Sequence, residues 1–182
     1  IKYYVADAAN LHMLSSGTFD VAYCHMALDD IADYEGAIAE ASRVLKAGGR
    51  FVIVMEHPCF DTRSLKGKMV GGWKTRLRQD GSEEHLYYRV EDYFQRHSYT
   101  CEWKMKRLTS SFVTTSFHRT LSDYANALAK HGFVITKLNE PRPLEEGTRL
   151  HPGMKKHHRI PFSLVIEAVK VRVKKEEDGE DK

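Results

Sequence analysis

No apolar run in this 182-residue sequence approaches the roughly 18 residues of a membrane helix, and its first residues do not read as a secretory leader. Cysteine is scarce. Cys24, Cys59 and Cys101 are odd in number, far apart and form no CxxC pair. That argues against a disulfide framework and a cysteine zinc site, and for reduced thiols in a cytosolic protein. A dominant charge sign is also missing: 28 Lys and Arg against 25 Asp and Glu leave a net charge of +3, too little to argue for nucleic acid. The length suits one domain with a sizeable core, and the apolar and charged fractions are ordinary for a globular protein.

What is present is organised around Phe19–Glu56, FDVAYCHMALDDIADYEGAIAEASRVLKAGGRFVIVME. Phe19–Cys24 is a short apolar run, as expected of a strand covered on both faces. Tyr34, Ala37, Ile38, Ala41, Val44 and Leu45 recur at i, i+3, i+4, i+7, i+10 and i+11, one stripe of a helix. Asp33 is placed to cap its start, and Gly48 and Gly49 can take the positive φ that closes its end. Phe51–Met55 is a second buried-type strand. Two strands joined by one helix make a right-handed parallel βαβ unit, so the chain is an α/β protein.

The FDVAYCHMAL strand, the helix ending in RVLKAGG and the RFVIVMEHP strand resemble the central strands of class I S-adenosylmethionine-dependent methyltransferases. The preceding VADAANL resembles that family's adenine-contacting segment. The resemblance covers most of residues 1–56 and returns at 118–140 and 160–170. It implies a Rossmann-like, doubly wound, mostly parallel sheet with an antiparallel last strand, Phe162–Val171, between the fifth and sixth. It also implies S-adenosylmethionine as cofactor. The family's Gly-rich cofactor loop is not in this sequence. The chain starts at Ile1 rather than Met, and Lys2–Ala6 already reads as a strand. We therefore expect the first two strands to be missing upstream, where two βα units of about 30 residues each would fit.

Ligands of open α/β sheets bind beyond the carboxyl ends of the strands. Asp7 stands at such an end; the resemblance gives its carboxylate the adenine amino group and the Ala8 N–H a ring nitrogen. The plainer reading is that Asp7 begins a turn. Cys24, His25 and Met26 end the next strand, where the resemblance places the methionine part of the cofactor. Asp29 and Asp30 read as a lead into the cap at Asp33. His57 follows the next strand end, as a substrate contact or base, or as a hydrogen bond holding the loop. Pro58 stops that strand.

Residues 61–117 read as a substrate-side insertion of two or three antiparallel strands. From Arg63 to Arg107 there are eleven Lys or Arg against six Asp or Glu, which suits either an anionic substrate or a solvated basic face. Trp73, Tyr87, Tyr88, Tyr93, Phe94, Trp103 and Phe112 could roof an apolar pocket, Trp73 and Tyr88 foremost, though at least half must pack the insertion. Thr120 and Asp123 fit a capping box for a helix carrying Leu121, Tyr124, Ala125 and Leu128 and ending at Gly132. Phe133–Leu138 is the next strand. His118 and Arg119 precede that helix, where the resembling family places substrate-facing residues; His118 is a candidate catalytic or orienting histidine. Residues 139–161 read as a lid or solvated loop. Its His151, His157 and His158 match no standard zinc pattern. Residues 1–173 form the domain, and 174–182 a charged, disordered tail.

These readings imply methyl transfer from S-adenosylmethionine to a small-molecule acceptor. The resembling enzymes that methylate amino groups of bases or glutamines carry an Asn/Asp-Pro-Pro-aromatic motif; CHMALDD stands there instead. Two alternatives stay open: a nicotinamide-dependent oxidoreductase whose Gly-rich turn lies upstream, and a non-catalytic, partner-binding fragment with exposed sheet edges.

Overall fold

A computed structural model describes residues 1–61, 64–65, 68–104 and 109–171; the expected tail at 174–182 lies outside them. Strands β1 (Phe19–His25) and β2 (Leu45–Glu56) pair in parallel, joined by helix α1 (Tyr34–Val44). Asp33 caps α1 by accepting the Gly36 N–H at 2.9 Å. The helix stops earlier than its glycines suggest. Leu45 is its C-cap, and Lys46–Gly49 form an irregular lead-in, so that Phe19 faces Leu45 but Val21 already faces Arg50. Both glycines are needed in that lead-in. Gly48 has φ +83, and a Cβ on Gly49 would stand 2.9 Å from the Lys46 carbonyl oxygen.

After residues 57–61 come a short hairpin, β3 (Ser64–Leu65) with β4 (Lys68–Met69), and two antiparallel pairs. These are β5 (Gly71–Leu77) with β6 (Glu83–Val90), and β7 (His97–Trp103) with β8 (Phe112–His118). The expected β-rich insertion is therefore present. The chain then re-enters the main sheet through helix α2 (Leu121–Lys130) and strand β9 (Phe133–Asn139), and ends with β10 (Ser163–Lys170). The sheet order is β1-β2-β10-β9, with β10 antiparallel to both neighbours, as expected of the last strand.

The core follows from these periods. Phe51, Ile53 and Met55 alternate on β2; Leu164, Ile166 and Ala168 lie on β10. Against them pack Ile38 and Ala41 of α1 and Tyr124 and Leu128 of α2, in one buried cluster, so both helices lie on one face. The Thr120 capping box is complete: its hydroxyl accepts the Asp123 N–H, and Asp123 accepts the Thr120 N–H at 2.9 Å. Thr120→Ala should lower the unfolding free energy by about 1 kcal/mol in urea titration; a change below a few tenths would show that α2 does not depend on the cap.

Three expectations are corrected. Lys2–Ala6 is not a strand but exposed coil, because among the described residues no strand offers it a ladder. β1 is not covered on both faces in this structure: among the described strands it lies at the sheet's edge, with Val21 45% and Tyr23 64% exposed. Residues 139–161 are not an irregular loop. They hold α3 (Glu145–Leu150) and a 3-10 segment, Pro152–His158, opened by a proline at its first position. The three thiols form no disulfide. No helix among the described residues is long and apolar enough to cross a membrane.

Candidate active site

The carboxyl ends of β1 and β2 open into one cavity, and the chain is bent there to make it. Met26, just past β1, has φ +49, unusual for a residue with a side chain, and such backbone is held only where surroundings enforce it. Its N–H donates to the Val54 carbonyl at 2.7 Å. Leu28 is fully buried, which leaves Asp29 and Asp30 beside the strand ends. The insertion ties them down: the Phe117 N–H donates to the Asp29 carbonyl at 2.8 Å, and the Ser116 hydroxyl to the Asp30 carboxylate. Glu56 ends β2, and Asp61 follows one short turn later.

The far walls come from the insertion by period-2 geometry. Tyr99, Cys101 and Trp103 share one face of β7, with Ser116 opposite Tyr99. Trp73 on β5 is registered against Tyr88 on β6, their rings edge to face at 5.5 Å. The Tyr88 hydroxyl donates to the Phe60 carbonyl, which locks this wall to the loop after β2. The enclosed volume is about 290 Å³, room for a small organic molecule.

Four carboxylates, Asp29, Asp30, Glu56 and Asp61, line this space. Burial, and then the charges of Asp29, Asp61 and Asp30, push the Glu56 carboxyl up to about 7. Asp29 is raised for the same first reason, burial. The Tyr99 phenol and Cys101 thiol are also raised by burial, with Asp61 and Glu56 respectively the next cause. Neutral groups here resist ionising because negative charge is already crowded and partly desolvated.

Of the candidate residues, Met26, Trp73 and Tyr88 line the cavity. Trp103 does so as well, while Phe112 stacks behind it and Phe94 is exposed. The β1 residues Cys24 and His25 immediately precede Met26; burial and then Asp29 raise the Cys24 thiol. Asp7 makes a turn, accepting the Ala9 N–H at 2.9 Å while its carbonyl accepts the Asn10 N–H. Ala8 packs on the core.

His57, His118 and Arg119 are buried in the supporting structure and do not line this cavity. His57 Nδ1 accepts the Cys59 N–H at 3.2 Å, so its Nε2 donates to Glu140 at 2.8 Å. That is the loop-holding alternative. His118 Nε2 donates to the Tyr93 carbonyl at 2.7 Å, and Nδ1 stands 3.4 Å from the Asp61 carboxylate. It backs a cavity carboxylate. Arg119 donates to the carbonyls of Leu28, Ile31 and Ala32 and lies over the Tyr34 ring at 4.2 Å.

The acidic lining is what sequence reasoning missed. Asp29, Asp30 and Glu56 follow the carboxyl ends of two strands, so the strand-end rule could have found them. Asp61, Tyr99 and Cys101 carried no such signal. Among the described basic residues of the insertion, Arg76 pairs with Glu84 and Arg89 with Glu91, and none of these four lines the cavity. In the 139–161 segment, His158 bonds the Thr148 hydroxyl and His157 packs on Phe162. Among the described residues no group of three or more His, Cys, Asp or Glu could hold a metal ion.

Comparison with known proteins agrees with this architecture. A methyltransferase-domain family matches residues 1–53. The fold is similar to that of a Listeria monocytogenes protein assigned to the S-adenosylmethionine-dependent methyltransferases. The two share 26% identity and a TM-score of 0.66, over 87% of this chain and 64% of that one. An S-adenosylmethionine-dependent methyltransferase from Mesorhizobium loti aligns at 24% identity and TM-score 0.65, over 90% of this chain and 67% of that one. This chain thus spans about two thirds of each relative's length. No curated protein matches it. The fold is that of the S-adenosylmethionine-dependent methyltransferases. The resemblance is to their Rossmann-like sheet, here with a β-rich insertion after β2.

Proposed function

We propose that this chain serves S-adenosylmethionine-dependent methyl transfer to a small-molecule acceptor. The observation that carries the reading is the cavity of about 290 Å³ beyond β1 and β2, floored by Met26 and walled by the insertion. Its position is the ligand edge of an open α/β sheet. Asp7 and Ala8 are the residues to meet the adenine: one Asp7 oxygen fixes the turn, leaving the other to accept from an amino group. Cys24, His25 and Met26 would run under the methionine part, where the left-handed Met26 turns the backbone aside. The crowded carboxylates suit a cationic sulfonium nearby, so the residues present fit the group. The bound cofactor would supply an activated methyl group.

The remaining work falls to the chain. Trp73 and Tyr88 hold the acceptor's apolar body and exclude water, and alignment of the nucleophile supplies most of the rate. Glu56, ionising near neutrality, is matched to take a proton from the acceptor. His118, His57 and Arg119 act as positioning residues, through Asp61, the loop after β2 and the loop after β1.

Calorimetric titration of S-adenosylhomocysteine into the full natural protein, with NAD as control, tests the reading. Binding should weaken about tenfold in Asp7→Ala, the loss of a charge-assisted hydrogen bond to the base. Absence of binding overturns the cofactor assignment, and tighter binding of NAD supports the oxidoreductase. A partner-binding role has one observation behind it, the exposed apolar edge at Val21 and Tyr23.

A further inference from the structure

The cavity has a charge that the proposed reaction alone does not explain. Four carboxylates face it, against one lysine, Lys156, and His157, whose ring is held below its ordinary range by burial and then by Lys156. Aromatic rings make up most of the rest: Trp73, Tyr88, Tyr99 and Trp103, with Phe60 at the side. Among the described residues, Asp29 Oδ1 and Trp73 Nε1 are buried with no hydrogen-bond partner. We infer that the cavity binds an arylalkyl or similarly apolar amine, taken up as its ammonium ion, and that this amine is the methyl acceptor; the acceptor role rests on the methyl-transfer reading, the cation site does not.

Three physical arguments converge on a cation. An anion would meet a crowd of like-charged carboxylates in a partly desolvated space, where repulsion is strong. A neutral molecule would leave those carboxylates repelling one another. An ammonium relieves the repulsion and gains the faces of the aromatic wall. The wall already shows this affinity, since the Arg159 guanidinium lies over the Trp73 ring at 5.0 Å. The cofactor's sulfonium and α-ammonium, set against its own carboxylate, bring a net charge of only +1, and so leave part of the four-carboxylate lining uncompensated. Glu56 completes the chemistry. Its carboxylate takes the N–H proton: the N–H bond breaks, an O–H bond forms, and the electron pair stays on nitrogen as the nucleophile.

The chain's two tryptophans, Trp73 and Trp103, both line the cavity, so intrinsic fluorescence reads its occupancy directly. The titrants are 2-phenylethylamine, 2-phenylethanol and phenylacetate, which keep the ring and change the charge, at about pH 8, where the amine is protonated and Glu56 mostly ionised. Saturable quenching should favour the amine over the alcohol by about tenfold or more, with phenylacetate weakest. Glu56→Gln and Asp30→Asn, each checked for an unchanged melting profile, should each weaken amine binding about fivefold or more. Equal or tighter binding of the alcohol or phenylacetate, or no amine binding, overturns the inference. So does loss of amine binding when S-adenosylhomocysteine saturates the protein, because the cation would then occupy the cofactor's place. Amine binding in a protein that does not take S-adenosylhomocysteine upholds the cation site and overturns methyl transfer. S-adenosylhomocysteine binding without amine binding overturns the inference alone.

Discussion

Arg119→Ala should lower the unfolding free energy by about 3–4 kcal/mol, the cost of emptying a buried, fully engaged cationic position. The guanidinium donates to Ile31 at 2.7 Å, Ala32 at 3.0 Å and Leu28 at 3.3 Å, all carbonyls of the loop between β1 and α1. It also lies over the rings of Tyr34 and Phe117. Alanine would leave three carbonyls without their donor and a hole beneath two rings. Arg119→Lys should recover only part, costing about 2 kcal/mol, because a compact ammonium cannot match a planar fork that also stacks. Urea unfolding of the three proteins gives the comparison. If Arg119→Ala costs less than about 1 kcal/mol, the exposed-pair range, then the loop is organised by its own contacts. The same loop carries Asp29 and Asp30, so Arg119 shapes the cavity without lining it. Both variants should therefore weaken amine binding even where they remain folded.

Much of the fold was legible because its signals are local. The stripe from Tyr34 to Val44, the Asp33 cap and the Thr120–Asp123 box each depend on residues within a few positions, and each stands where the spacing put it. The errors arose where pairing decides. Lys2–Ala6 has strand composition, but a strand is stable only beside another, and none of the described strands flanks it. Phe19–Cys24 is apolar enough for a buried strand, yet among the described strands it lies at the sheet's edge, a matter of topology. The site was less legible for a related reason. Its carboxylates come from three stretches, 29–30, 56 and 61, and the bend at Met26 with the ties from Ser116 to Asp30 and Phe117 to Asp29 helps bring them to one wall. The histidines stood out by type, but His57 and His118 are spent on Glu140 and Tyr93. The cavity itself is lined by acidic residues whose shared neighbourhood the sequence does not show.

Glu56 should make the protein less stable as the pH rises through neutrality, and Glu56→Gln should remove much of that loss. Its carboxyl is raised from 4.5 to about 7 in the folded chain, mainly by burial and next by Asp29. Between those values the folded state holds a proton that the unfolded state has released. Stability changes with pH in proportion to protons bound unfolded minus protons bound folded, so here it falls as pH rises. The loss begins near the unfolded value and is complete just above the folded one. At about 1.4 kcal/mol for each pH unit, the gap from 4.5 to about 7 caps the effect near 3 kcal/mol. Urea unfolding at about pH 5 and about pH 8 should show wild type and Glu56→Gln close together at the lower pH. At the higher pH the variant should be more stable by about 2–3 kcal/mol. Parallel pH profiles would mean that Glu56 is solvated when ionised and that the cavity does not crowd negative charge. Adding saturating 2-phenylethylamine should raise wild-type stability at the higher pH, and raise that of Glu56→Gln by about 1 kcal/mol less, as a fivefold weaker affinity requires. A ligand that binds only the folded state stabilises it by mass action, and here it would do so by supplying the positive charge that the ionised cavity lacks.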